Sequence, residues 1–280
     1  MAPTVTRVFR CGRFRLDVSR PLVMGIVNVT PDSFSDGGRF FDTAAAVEQA
    51  RRLVDEGADL LDIGGESTRP GAAPVPLDEE LRRVLPVLER IVDLGVPVSV
   101  DTMKPEVMHA ALAAGAAMVN DVLALRAPGA LECLARSDAG VCLMHMQGDP
   151  RTMQIEPAYG DVVAEVRDFL TQRAEAVVAE GIARDRIAID PGFGFGKAKA
   201  HNLALLARLS ELAAMGLPVL VGLSRKSVLG QATKRPVGER MAASVAAALL
   251  AAERGASILR VHDVAATCDA LAVLGALADA

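Results

Sequence analysis

What the chain lacks narrows it first. None of its four cysteines, Cys11, Cys133, Cys142 and Cys268, forms a CxxC pair, and two of them lie in segments that read as core. A disulfide framework is therefore not expected, and reduced thiols in a cytoplasmic protein are. HxxxH, HExxH and cysteine-cluster spacings are absent as well, which removes the usual zinc sites. There is no basic excess: 30 Lys plus Arg against 35 Asp plus Glu leave −5, and no basic run is interleaved with aromatics. A nucleic-acid surface is not expected, and any anion site must be local. Long hydrophobic runs are missing too. The longest, 241–252, is an alanine-rich stretch of 12 residues between Arg240 and Glu253, too short to span a bilayer. Arg7, Arg10, Arg13 and Arg15 leave no apolar h-region near the N-terminus, so no secretory signal is expected.

What is present is one repeated grammar: a helical pattern ends near a glycine, a few residues pass, and a short apolar strand ends in a polar residue. The instances are EGADLLDIGG (56–65), LGVPVSVD (94–101), AGAAMVND (114–121), AGVCLMH (139–145), EGIARDRIAIDPG (180–192), MGLPVLVG (215–222) and RGASILRVHD (254–263). Gly57, Gly95, Gly115, Gly181, Gly216 and Gly255 fall where helix C-caps are expected. The stretch 22–30 adds an eighth strand. These strands are near-continuously apolar, as parallel strands covered on both faces should be. Amphipathic stretches such as 44–56, with Val47, Ala50, Leu53 and Val54 on one side, lie between them. Eight βα units spaced by about 33 residues predict an α/β protein, a (β/α)8 TIM barrel, over an open doubly wound sheet. Alternation over 5–18 predicts a short N-terminal β-hairpin, so residues 1–20 form an extension ahead of a single barrel domain, 21–280.

Barrel active sites are built at the C-terminal ends of the strands. Those ends carry Asn28, Asp62, Asp101, Asn120 with Asp121, His145, Asp190, Ser224-Arg225-Lys226-Ser227, and Arg260 with His262 and Asp263. Asp62, Asp121 and Asp263 read as caps or loop holders, whereas Asp101 and Asp190 end apolar strands and read as functional. The loops after strands seven and eight, where barrels bind phosphate, hold SRKS (224–227) and Arg260-x-His262, a cationic cluster that suits a polyphosphate. Asn28, an amide set into an apolar strand, needs a partner or an opening; it suits Mg²⁺ held mostly by substrate oxygens and water. The adjoining stretch TPDSFSDGG (30–38) is turn chemistry and reads as a mobile loop. GFGFGK (192–197) lacks the GxGxxG and GxxxxGK[ST] spacings and reads as a flexible active-site loop. His145 reads as a packing residue, and His109 and His201 as surface residues. The chemistry alone points to a phosphate-bearing substrate whose polar ring is read by Asp101, Asn120 and Asp190. Arg260, His262, Lys226 and Mg²⁺ would stabilise its leaving group.

Taken together, GIVNVTPDSFSDGG (25–38), DIGGESTRPGA (62–72), VDTMKPEV (100–107), ND (120–121), DPGFGFGK (190–197), GLSRKS (222–227) and RVHD (260–263) resemble the bacterial dihydropteroate synthase family. The resemblance implies a transferase of folate biosynthesis that joins 6-hydroxymethyl-7,8-dihydropterin diphosphate to p-aminobenzoate and releases pyrophosphate. It places a pterin pocket on Asp101, Asn120, Met144, Asp190, Phe195, Gly222 and Lys226. Pyrophosphate and Mg²⁺ contacts fall on Asn28, Arg260 and His262. The aminobenzoate side falls on Phe34, Thr68, Pro70 and Ser227, with loops 29–40 and 66–76 closing over the site. Asp101, Lys226, Arg260 and His262 then carry the catalysis. The resemblance further implies a homodimer and a sulfonamide target. Departures are small: VLALRAPGAL (122–131) puts Leu and Ala after Asp121 where many relatives have smaller or more polar residues, and VGERMAAS (237–244) has Ala where Gly is expected. Two other readings compete. A methyltetrahydrofolate-binding methyltransferase barrel has no use for the SRKS and RVH cluster. A non-catalytic pterin-binding paralogue should have lost loop residues, yet Asn28, Phe34, Asp36, Thr68, Arg69 and Pro70 are all present.

Overall fold

The structure is a computed structural model that describes residues 8–29, 39–67, 71–148, 153 and 155–278 of the chain, the side chains of 39–42 and 278 excepted. Two short strands, β1 (Val8–Cys11) and β2 (Phe14–Asp17), pair antiparallel across a turn at Gly12, as the alternation predicts. Eight strands come next: β3 (Leu22–Asn28), β4 (Leu60–Gly64), β5 (Val98–Asp101), β6 (Met118–Asp121), β7 (Gly140–Met144), β8 (Ile187–Asp190), β9 (Leu220–Val221) and β10 (Ile258–Val261). All pair parallel in the order β8-β7-β6-β5-β4-β3-β10-β9, and a bridge between Ile189 and Val219 brings the two ends of this sheet together. The result is the predicted (β/α)8 barrel.

Alternation along each strand builds two separate cores, because successive side chains point to opposite faces. Val23, Leu61, Val98, Val119, Val141, Ile187, Val219 and Leu259 pack outward against the helices. Leu22, Met24, Leu60, Met118, Cys142, Ala188, Leu220 and Ile258 pack inward as one cluster, and Phe9 and Cys11 of the hairpin complete it. The hairpin therefore plugs the N-terminal end of the barrel. Gly140 makes this possible, since a Cβ there would lie 2.8 Å from both Cys11 Cβ and the Phe9 ring.

The helices are α1 (Arg39–Asp55), α2 (Leu77–Ile91), α3 (Pro105–Ala113), α4 (Ala130–Ala135), α5 (Val162–Ala179), α6 (Lys199–Ala207), α7 (Leu209–Ala213), α8 (Ser227–Thr233), α9 (Met241–Glu253) and α10 (Val264–Ala278). All six predicted C-cap glycines have positive φ, from +73° at Gly216 to +101° at Gly57 and Gly115, a conformation costly for residues with a Cβ. Two connections carry more helix than the simple repeat implies. The one after β8 is split into α6 and α7, and α8 precedes α9 because Lys234 turns left-handed at φ +62° and Pro236 cannot extend a helix.

Candidate active site

The inner parity that is apolar through the barrel's middle changes chemistry one step higher. Two residues on, Leu60 gives way to Asp62, Met118 to Asn120, Cys142 to Met144, Ala188 to Asp190, Leu220 to Gly222 and Ile258 to Arg260. Met24 reaches Asn28 after two such steps, and Asn28 pairs in register with Gly64, which pairs with Asp101. Pleating thus gathers Asn28, Asp62, Asp101, Asn120, Asp190 and Arg260 around the C-terminal mouth.

Arg260 organises one side. Its Nε donates to Asp62 Oδ2 at 2.5 Å and its Nη2 to Asp101 Oδ2 at 2.8 Å, while Asn120 Nδ2 donates to the same Asp62 oxygen at 3.1 Å. Burial pushes Asp101 up to about 7; the Arg260 charge opposes this and the neighbouring Asp62 adds to it. Among the described residues, Asp62 Oδ1 and Asp101 Oδ1 are buried carboxylate oxygens without a hydrogen-bond partner. Unsatisfied buried acceptors are costly; the Asp62 side chain has no exposed surface whereas that of Asp101 is 12% exposed, so Asp101 is the one suited to receiving an N–H group from a ligand.

Asp190 and Lys226 form the other side. Asp190 Oδ1 accepts from Gly192 N–H at 2.7 Å, and burial raises its pKa while Lys226 opposes the rise. Lys226 donates to the Phe193 carbonyl and stands 4.8 Å from the centre of the Phe195 ring. Burial lowers its pKa to about 8 against the pull of Asp190. Gly222 keeps the space between the sides open: a Cβ there would lie 3.9 Å from Arg260 and from Lys226 Nζ. Met144 packs with Val122, Met146 and Met153, and Leu123 and Phe195 lie against them. This is an apolar wall for a flat ring, and Leu123, one of the sequence departures, is part of it.

Above Arg260, Ser224 Oγ accepts from the backbone N–H of His262 at 3.2 Å and lies 2.9 Å from its Nδ1. This turns the ring towards the seventh loop. Arg225 does not join the cluster; it pairs with Asp263 at 2.5 Å. Ser227 is exposed at the start of α8. Phe34, Thr68 and Pro70 lie outside the described residues. At the base of their second loop, Lys104 binds Glu66 and Glu80, Thr102 Oγ1 donates to Glu80 Oε1 at 2.7 Å, and Val75 N–H donates to Glu66 Oε1 at 3.0 Å.

Three expectations change. Asp62 is neither a cap nor a loop holder but the fully buried partner of Arg260 and Asn120. Its signal was available: it shares parity with Leu60 and stands inside β4, whereas α2 begins 15 residues later at Leu77. The GFGFGK loop is pinned, not loose. Buried Lys197 Nζ donates to the carbonyls of His145, Gly192 and Phe195 at 3.3, 3.0 and 2.9 Å. Its contact to His145 Nδ1, at 2.9 Å, makes that nitrogen the acceptor, in keeping with a pKa that burial and Lys197 lower to about 3. His145 thus packs and braces, as expected, while Lys197 went unread in the sequence. His201 is only partly exposed, accepting from Ala198 N–H and stacking edge-on with Tyr159; His109 is exposed. Asp121 holds a loop as expected, accepting from Leu123 and Leu125 N–H.

The donor set also bears on Mg²⁺. Among the described residues no group of three or more His, Cys, Asp or Glu side chains could hold a metal ion. Asn28 offers one hard oxygen at the mouth, which fits Mg²⁺ that arrives bound to substrate phosphates and water.

Comparison with known proteins gives the same picture. A family model described as pterin binding enzyme matches residues 24–262. The dihydropteroate synthase of Neisseria meningitidis serogroup B is 53% identical over 277 residues, 96% of this chain and 97% of that protein. The structure of Xanthomonas albilineans dihydropteroate synthase with 4-aminobenzoic acid matches with a TM-score of 0.93 at 58% identity, covering 98% of this chain and 99% of that one. That of the Burkholderia cenocepacia enzyme complexed with 7,8-dihydropteroate matches with a TM-score of 0.89 at 55% identity, covering 97% of this chain and 96% of that one. With sequence and barrel shared over nearly their whole lengths, the chain belongs to the pterin binding enzyme family, among the dihydropteroate synthases.

Proposed function

We propose that the chain condenses 6-hydroxymethyl-7,8-dihydropterin diphosphate with p-aminobenzoate to give 7,8-dihydropteroate and pyrophosphate. The observation that carries this reading is the arrangement around Arg260: a buried Asp101 oxygen ready for a ring N–H group, beside a fixed guanidinium able to meet a departing diphosphate. Asp190, Asn120 and Lys226 address the far edge of the ring, and Met144 and Phe195 its faces.

The CH2–O bond breaks with its electron pair leaving on pyrophosphate, the amine nitrogen attacks the resulting carbon, and the nitrogen loses one proton to solvent. Ionised Asp101 favours the positive charge that develops on the pterin. Arg260 and His262 meet the negative charge on the leaving group. Mg²⁺, held by Asn28 together with substrate oxygens, would supply further charge neutralisation there. An aromatic amine is already a competent nucleophile, so no strong general base is needed; His145, buried and braced by Lys197, is not placed as one. Ser227, Thr68, Pro70 and Phe34 are assigned to the aminobenzoate side.

A methyltransferase reading leaves Arg260 and His262, set for a leaving diphosphate, without a task. Among the described residues no helix is long and apolar enough to cross a membrane. The free thiols of Cys11, Cys133, Cys142 and Cys268 suit a reducing compartment, which supports a cytoplasmic enzyme. Met241 and Leu250 of α9 and Val273 and Leu277 of α10 are exposed apolar side chains on two helices that pack together. That face supports a homodimer, which sedimentation would test: a monomer at micromolar concentration would refute it. The reaction itself is tested by pyrophosphate release from the dihydropterin diphosphate with Mg²⁺. Release coupled to dihydropteroate formation and dependent on p-aminobenzoate is expected; binding without turnover would overturn the proposal in favour of a non-catalytic paralogue.

A further inference from the structure

Asp62 ties together two groups that face different parts of the substrate. It lies on β4 with no exposed surface, and its Oδ2 accepts both from Arg260 Nε and from Asn120 Nδ2. Arg260 is already paired with Asp101 through Nη2, so charge neutralisation alone does not call for a second carboxylate. Geometry does. A guanidinium held at one corner rotates, and one held at Nε and Nη2 has its plane fixed. When a heterocycle N–H competes for Asp101, the Nε bond keeps the Arg260 plane, and with it the directions of its remaining N–H groups, in place. The same oxygen selects the orientation of the Asn120 amide: with Nδ2 committed to Asp62, Oδ1 is left as the acceptor for a ligand.

We propose that Asp62 is a positioning residue that sets the plane of Arg260 and the amide face of Asn120, and so couples recognition of the pterin ring to stabilisation of the leaving diphosphate. This rests on the reaction proposed above. The test compares wild type, Asp62→Asn, Arg260→Gln and the double variant, each checked for a cooperative thermal transition. Asp62→Asn should lower kcat/KM for the dihydropterin diphosphate by about 10²-fold, as expected for a misplaced catalytic contact. The KM for p-aminobenzoate should move by less than about threefold, because Asp62 acts on the other substrate. In the Arg260→Gln background the Asp62→Asn penalty should shrink to less than about fivefold, since residues acting as one unit are not additive. Full additivity in the cycle, or a folded Asp62→Asn with wild-type kinetics, overturns the proposal. A measurement on the wild-type chain covers variants that fail to fold. With ¹⁵N-labelled arginine, the Arg260 Nε–H should stay protected from exchange when Mg²⁺-pyrophosphate is added, and loss of protection would count against Asp62. Wild-type chain that makes no dihydropteroate sinks the reaction itself, an outcome distinct from either of these.

Discussion

Lys104→Met is the most decisive perturbation of the scaffold behind the site. Lys104 stands just before α3 and joins Glu66 of the fourth-strand loop to Glu80 of α2; the Glu80 side chain is 0% exposed and that of Lys104 22%. Removing one partner of a buried ion pair destabilises by about 3–5 kcal/mol, because the remaining charge is left uncompensated. The partial exposure of Lys104 argues for the lower end, about 3 kcal/mol. For a chain of this size that corresponds to a fall in Tm of about 6–12 °C, readable by circular dichroism or calorimetry. The double variant Lys104→Met/Glu80→Gln should recover part of the loss, since the neutral amide removes the more deeply buried of the two stranded charges, leaving that of Glu66, and its oxygen still accepts from Thr102 Oγ1. A single variant within about 1 °C of wild type, or a double variant that melts below the single, would refute the reasoning. Glu66 also holds Val75 N–H, so the single variant should raise the KM for p-aminobenzoate more than that for the pterin substrate.

Asp101, raised to about 7 by burial, loses stabilising influence as pH climbs from its unfolded value of about 4 through 7. Asp101→Asn should therefore gain Tm relative to wild type between pH 5 and pH 8 while losing activity, and kcat/KM of the wild type should fall on the acid side with an apparent pKa near 7; a pH-independent difference in Tm would contradict this. Gly192→Ala should cost more than about 2 kcal/mol in urea unfolding, because φ is +68° and the new Cβ would lie 1.9 Å from the His145 carbonyl oxygen; an unchanged midpoint would be inconsistent with the described loop. Asn28→Ala should raise the Mg²⁺ concentration for half-maximal rate, and chelation should stop turnover; activity indifferent to both would remove Asn28 from the metal site. A sulfonamide should compete with p-aminobenzoate in steady-state kinetics, and non-competitive behaviour would separate the two sites.

The fold was legible because its signal is redundant. Eight apolar strands and six glycines with positive φ repeat one message, so an ambiguity in any single unit is outvoted by the rest. The mouth was legible where a polar residue ends an apolar strand, as at Asp101 and Asp190. At Asp62 the inward side was legible and the role was not, because that role depends on Arg260, 198 positions away. Leu60, Asp62 and Gly64 share one parity, and that pattern identifies the inward side without naming the partner. Lys197 was hidden for a related reason. A lysine beside a glycine-rich run reads as solvated until three backbone carbonyls and an imidazole are found around its nitrogen.

The most direct test is a crystal structure of the chain with Mg²⁺ and a non-reactive analogue of the dihydropterin diphosphate. The ring is predicted between Asp101, Asn120, Asp190 and Lys226, with the diphosphate against Arg260, His262 and Asn28. A ring bound outside the barrel mouth, or a diphosphate directed away from Arg260, would contradict the central claim.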